Sequence, residues 1–159
     1  MKVTLATFNI RNINDRYEER KPLLGAGFAS LGADIVGLQE VVFSEPRQDD
    51  YLSAQLPERH YRSFDARMER FPMAGLATLV AAGEVVSHEE LRLSTGRVAQ
   101  RVLLAMPGQR MLWFANTHLH HVPAEAGVRL EQIRAILAWL ESAPAANATV
   151  LVGDFNAPP

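Results

Sequence analysis

Five side chains stand where short apolar runs give way to polar residues: Asn9, Glu40, His118, Asp154 and Asn156. Asn9 closes Val3-Thr4-Leu5-Ala6-Thr7-Phe8, Glu40 closes Asp34-Ile35-Val36-Gly37-Leu38-Gln39, and His118 closes Met111 to Thr117. Asp154 and Asn156 follow Ala148 to Val152 and Gly153. Each run reads as a strand, and strand C-termini fed by crossover connections are where ligand sites collect. A carboxylate at the end of an apolar strand is costly unless paired, so Glu40 suits a hard cation, magnesium or manganese. Asn9 carries an acceptor and a donor that can orient a metal-bound water or a carboxylate. In Asp154-Phe155-Asn156 an extended backbone points carboxylate and amide the same way, the first to take a proton from water and the second to hold a phosphate oxygen. Simpler readings stand beside these: a surface carboxylate at Glu40, a turn residue at Asn9, an Asx-type turn at Asp154. His118, His120 and His121 form a cluster able to bind zinc or touch a phosphoryl oxygen. Alternation puts His118 and His120 on one face and His121 on the other, and a solvated loop position is the plainer reading for one of the last two.

The elements that must position these groups follow from periodicity. Tyr17 to Leu31 reads as a helix with Leu24, Phe28 and Leu31 on one face, stopped by Gly32. A short helix near Asp49 to Leu56 ends at Pro57. Strands are expected at Tyr61–Phe64, Leu76–Ala81, Val85–Leu93 and Val98–Met106, with Pro107-Gly108 as a turn. Ala124 to Ser142 is the clearest helix, with Leu130, Ile133, Ile136, Leu137 and Leu140 as its inner face. Ala148 to Val152 reads as a last buried strand. Crossover units mixed with serial strands favour an α+β or layered sandwich over a doubly wound sheet.

At these motifs the sequence resembles the endonuclease/exonuclease/phosphatase superfamily. The resemblance rests on Thr7-Phe8-Asn9-Ile10-Arg11, Asp34 to Val41, Asn116-Thr117-His118-Leu119 and Val152-Gly153-Asp154-Phe155-Asn156, in order over Val3 to Pro159, with Arg129 and Gln132 matching an Arg-x-x-Gln on the next helix. It implies a four-layer α/β/β/α sandwich, a divalent metal, Mg2+ or Mn2+, and in-line hydrolysis of a phosphate ester. It implies Glu40 as metal ligand supported by Asn9. His118, Asp154 and Asn156 become catalytic residues, and His118, Asn156 and Arg129 contact substrate. Nucleic acid, inositol phosphate and phospholipid headgroup all remain open as substrate. Two departures stand out: His120 replaces an Asp of the usual Thr-His-Leu-Asp-His, and the family's late Asp-His pair has no counterpart, since no Asp-His dipeptide occurs in the sequence. The resemblance therefore implies a single domain over 1–159 with its C-terminal part missing. Such a domain is nearly inactive alone, and its exposed core is covered by a missing segment or a homodimer partner. A non-catalytic binding module is the alternative. A metallo-β-lactamase-like zinc hydrolase fails where Val122-Pro123 stands for Asp-His, and a calcineurin-like phosphatase fails at Asn9-Ile10-Arg11.

Composition bounds the rest. The chain has 159 residues, 48% hydrophobic and 21% charged, ordinary for a globular domain. A net charge of −2 excludes a basic nucleic-acid stripe but permits local steering by Arg97, Arg101 and Arg129. The absence of cysteine excludes disulfides, thiolate metal sites and Cys nucleophiles. No apolar run reaches the ~18 residues of a membrane span and no signal peptide is evident, so the cytoplasm is the expected location.

Overall fold

The computed structural model describes residues 2–157. The strands are β1 (Leu5–Asn9), β2 (Ile35–Val42), β3 (Arg62–Arg67), β4 (Ala74–Val80), β5 (Glu84–Arg92), β6 (Val98–Met106), β7 (Arg110–His118) and β8 (Ala148–Asp154). The α-helices are α1 (Tyr17–Leu31), α2 (Gln48–Ser53) and α3 (Ala126–Glu141). The strands form two four-stranded sheets, ordered β1-β2-β4-β3 and β5-β6-β7-β8. Each sheet holds one parallel pair joined through a helix: β1 and β2 through α1, β7 and β8 through α3. The remaining pairs are antiparallel. The expected α/β/β/α layering is what the chain adopts. None of its described helices is long and apolar enough to cross a membrane.

Alternation along β2 explains the layers. Val36 and Leu38 face the first helical layer, where Phe28 and Leu52 join them. Ile35 faces the opposite way, into an inter-sheet core with Val80, Val102, Leu104 and Phe114. α3 covers the second sheet through Ile136, against Ala99 and Leu119. β2 is thus buried on both faces, as its unbroken apolar run predicts. α1 ends at Gly32, whose φ of 51° suits glycine and whose N–H donates to the Ala29 carbonyl.

Three expectations change. Leu31 remains 41% exposed, and the α1 face narrows to Phe28, Gly25 and the half-buried Leu24. On α3, Leu130 and Leu137 point outward at 48% and 47% exposure, while Arg129, Gln132 and Ile136 are buried. The polar pair turns inward because backbone groups there need partners. The Gln132 amide accepts from His120 N and donates to the Ser94 carbonyl, and Arg129 donates to the Val122 and Pro123 carbonyls. β8 is an edge strand, no more than half-buried.

The two sheets meet through polar side chains as well as apolar ones. Gln39 Nε2 donates to Asn116 Oδ1 at 2.7 Å, and Asn116 Nδ2 donates to the Leu38 and Ala77 carbonyls across the interface. Both residues are 1% exposed or less, and no buried side-chain nitrogen or oxygen among the described residues lacks a partner. Gly37 makes room for this contact: a Cβ there would sit 2.8 Å from Val152 Cγ2 and 2.9 Å from Asn116 Cγ. Gly37→Ala is therefore expected to destabilise the fold by about 1–3 kcal/mol, read as a lower urea midpoint with an unchanged m-value.

Candidate active site

Glu40 lies not at the end of β2 but on a β-bulge within it. Leu38 pairs with Ala77 and Val41 with Gly75, so Gln39 and Glu40 together oppose one residue of β4. Glu40 has φ 57°, a left-handed conformation uncommon outside glycine. Gln39 keeps the alternation of Ile35 and Gly37 into the sheet interface, and the Glu40 carboxylate lies at the end of the sandwich. Its Oε1 accepts from Asn9 Nδ2 at 3.1 Å and its Oε2 from Asn12 Nδ2 at 3.0 Å. Asn12 N also donates to the Glu40 carbonyl, which holds the bulge.

Asp154 reaches the same point from the second sheet. Gly153, with φ 151°, precedes it, and a Cβ there would lie 2.2 Å from the Thr117 carbonyl oxygen, so only glycine lets β8 lie this close to β7. Asn9 Nδ2 donates to Asp154 Oδ2 at 2.8 Å as well as to Glu40. One amide thus joins the carboxylates of both sheets. Asp154 Oδ1 accepts from Asn156 N at 2.9 Å. This is the Asx-type turn, and it coexists with the site. The Asn156 amide donates to the Leu119 carbonyl while also lining the cleft.

His118 closes the group, its Nε2 3.8 Å from Asp154 Oδ2. Burial and the nearby Arg97 guanidinium push its pKa down to about 4, against the pull of Asp154 and Glu40, so it is neutral at pH 7. Burial pushes the Asp154 carboxyl up. Hydrogen bonds from Asn9 and Asn156 N, helped by His118 and Arg97, outweigh this and hold it below the usual range. Burial lowers the Arg97 pKa against the pull of Glu40 and Asp154, yet a guanidinium remains charged. Arg97 Nη2 donates to His121 Nδ1 at 3.0 Å. Glu40, Arg97, His118, His121 and Asn156 line a cleft of about 460 Å3 that also takes in Asn12 and Asn14.

The cluster of histidines is split. His118 and His121 line the cleft, whereas His120 is buried with Nε2 2.6 Å from Glu125 Oε2. Strand alternation fails here because β7 ends at His118. With three histidines on three different partners, no zinc-type triad forms, and no group of three or more His, Asp or Glu poised for a metal occurs among the described residues. The oxygen donor set suits a different ion. Glu40 presents a half-buried carboxylate whose two amide partners leave one lone pair on each oxygen, with Asp154 sharing the Asn9 amide. Magnesium is typically held by one or two carboxylates and several waters, so these residues fit it.

Two of the arginines leave the site. Arg129 is buried beneath the loop after β7, as its bonds to Val122 and Pro123 require, and does not line the cleft. This corrects its expected substrate contact. Arg101 lies 4.8 Å from the Trp113 ring and 4.1 Å from the Trp139 ring, paired with Glu89. Only Arg97 of the three faces the cleft. Asn12 escapes sequence reasoning altogether. The one available signal was a second asparagine three residues beyond the first.

Residues 6–159 match the sequence profile of the Endonuclease/Exonuclease/phosphatase family. No curated protein matches the chain in sequence. The structure is similar to humanized TDP2 of D. rerio, with a TM-score of 0.79 and 18% identity over 96% of this chain and 62% of that one. It is similar to the human Nocturnin catalytic domain, with a TM-score of 0.75 and 24% identity over 89% and 58%. A mannosyl-6-phosphatase of Bacteroides thetaiotaomicron gives a TM-score of 0.80 and 20% identity over 98% and 66%. The chain thus spans 58–66% of the length of these three chains, and at such identities the likeness is one of fold.

The pKa of His118 makes a stability prediction. Its folded value of about 4 lies below the ordinary 6.5, so the unfolded chain binds the extra proton between these pH values. Stability should fall as pH drops from 6.5 towards 4, by about 2 kcal/mol between pH 7 and pH 5. Urea unfolding at the two pH values checks this, and His118→Gln should flatten the difference.

Proposed function

This chain belongs to the Endonuclease/Exonuclease/phosphatase family, and from that premise we propose that it hydrolyses phosphate esters with a divalent metal ion, Mg2+ or, in its place, Mn2+. The observation that carries the proposal is the Asn9 amide joining Glu40 of one sheet to Asp154 of the other, next to a cleft lined by Glu40, His118 and Arg97. Glu40 would hold the metal, with Asn9 and Asn12 fixing its two oxygens. A metal bound there supplies charge neutralisation to a phosphoryl oxygen.

The chain's own residues do the rest. Asp154, held below the usual carboxylate range, is a weak base. It orients the attacking water by accepting its hydrogen bond at Oδ2 and receives the proton only as the new phosphorus–oxygen bond forms and the opposite ester P–O bond breaks, the leaving oxygen taking its proton from solvent. Neutral His118 donates an N–H to a phosphoryl oxygen. Arg97 balances the charge that gathers on the equatorial oxygens. The Asn156 amide, with one hydrogen committed to Leu119, offers the other to the phosphate. TDP2 of D. rerio is known in complex with a single-strand DNA product, and ANGEL2 is a 2′,3′-cyclic phosphatase. Both support phosphate esters as the substrate class.

Assay of the purified chain on bis-p-nitrophenyl phosphate, with and without Mg2+, tests the reading. We expect metal-dependent release of nitrophenol, reduced about 10²–10⁴-fold by Asp154→Asn and lost with Glu40→Gln. A folded protein that binds Mg2+ without turnover would instead favour the binding-module reading.

A further inference from the structure

Arg97 enters the cleft from a strained turn. Ser94–Gly96 joins β5 to β6 and leads directly into Arg97. Thr95 has φ 60° and Gly96 has φ 74°. That region is ordinary for glycine, but a β-branched residue in it is a true outlier. Such strain persists only where the surroundings hold it. Here the hold comes from α3. Gln132, 1% exposed, donates through Nε2 to the Ser94 carbonyl at 2.8 Å and to Thr95 Oγ1 at 3.2 Å. Its Oε1 accepts from His120 N at 2.9 Å.

One buried amide thus ties together two loops that each deliver one member of a pair. The β5–β6 turn delivers Arg97 and the loop after β7 delivers His121, and Arg97 Nη2 donates to His121 Nδ1 at 3.0 Å at the cleft. His120 completes the tie. Its ring centroid lies 5.5 Å from that of His121, its Nε2 lies 2.6 Å from Glu125 Oε2, and its Nδ1 lies 3.4 Å from Thr95 Oγ1. An ionised carboxylate only accepts, so the neutral His120 ring carries its proton on Nε2. The Thr95 hydroxyl then donates to His120 Nδ1, a long bond, while accepting from Gln132. Arg97 has many rotamers to lose when it meets a ligand, and a guanidinium already fixed in place acts on developing charge without reorganising.

Resting on the phosphoesterase reading of this cleft, we infer that Gln132 and the Thr95 hydroxyl are positioning residues for Arg97. They touch no substrate. They hold the turn so that Arg97 meets His121 and keeps its remaining N–H groups for the phosphoryl oxygens. The Gln of the Arg-x-x-Gln pattern thereby gains a task that its burial alone would not suggest.

Turnover of bis-p-nitrophenyl phosphate by the full chain in Mg2+, together with NMR of the histidine rings, tests this. Thr95→Val and Gln132→Glu should each lower kcat about tenfold and leave KM within about twofold, since Arg97 acts on charge that gathers in the transition state. Thr95→Ser, which keeps the hydroxyl, should retain the rate. In an Arg97→Gln background, Thr95→Val should cost less than about twofold more, because both changes act through one group. Long-range 1H–15N spectra at about pH 8 should show the His121 proton on Nε2, since Nδ1 accepts from Arg97. Thr95→Val should give mixed tautomers and Thr95→Ser should not. Thr95 is exposed, so its variants keep the test open should Gln132→Glu not fold. Equal losses for Val and Ser at position 95, full additivity with Arg97→Gln, or an unchanged His121 tautomer in Thr95→Val overturns the inference. If the unaltered chain shows no turnover, the phosphoesterase reading fails, while the tautomer spectra still decide whether the turn positions Arg97.

Discussion

The hydrogen bond from Gln39 to Asn116 fixes the distance between the two sheets, and the rest of the site depends on that distance. Glu40 and Asn9 belong to one sheet, His118 and Asp154 to the other. Gln39 immediately precedes Glu40, and Asn116 lies two residues, roughly 7 Å of strand, before His118. The amide pair therefore sits directly beneath the groups that must meet. A buried amide left without its partner costs about 1–3 kcal/mol, so sliding or separation of the sheets is penalised at this point. Gln100 makes a second bridge. With its amide assigned so that the oxygen accepts from Thr78 N and Oγ1 and the nitrogen donates to the Phe64 carbonyl, it ties the same two sheets together further along. An apolar interface alone would tolerate small slips, whereas these bonds specify one register.

The bulge at Glu40 shows how strain is placed. A left-handed residue other than glycine costs on the order of 1–3 kcal/mol, and here it lies at the cleft end of a strand buried on both faces. One side chain points into the interface and the next into the cleft, as a regular strand would also place them. What the bulge adds is the extra length that lets Glu40 face Asn9 and Asn12 together. Asn12, itself at φ 39°, returns a backbone hydrogen bond to the Glu40 carbonyl. The strained segments thus support each other.

Electrostatics divides the labour between whole molecule and site. The net charge of −2 provides little attraction for a polyanion, and the fourteen arginines among sixteen basic residues are largely committed elsewhere: Arg129 to loop carbonyls, Arg101 to two tryptophans and Glu89, Arg47 to Asp49, Arg59 to Asp34. Arg97 remains at the cleft, where burial among Asn and His side chains strengthens its effect. The same burial keeps His118 neutral at pH 7, so that it can serve as an N–H donor without adding charge.

The sequence alone determined the two strand–helix–strand crossovers, the layered sandwich and the placing of Asn9, His118 and Asp154 at strand ends. These follow from local causes: apolar alternation, a glycine stop at Gly32, and polar residues where apolar runs cease. Tertiary structure decided what local pattern cannot encode. The bulge at Glu40 depends on pairing with β4. The inward turn of Gln132 on α3 depends on the distant Ser94 carbonyl and that of Arg129 on carbonyls of the loop leading into the helix, and these outweigh the outward-facing Leu130 and Leu137. The parting of His120 from His118 and His121 depends on where β7 stops pairing. The choice of Arg97 over Arg101 and Arg129 depends on which guanidinium finds a partner elsewhere. In each case the deciding contact falls outside the strand or helix whose period was read, and periodicity reads only positions within one element.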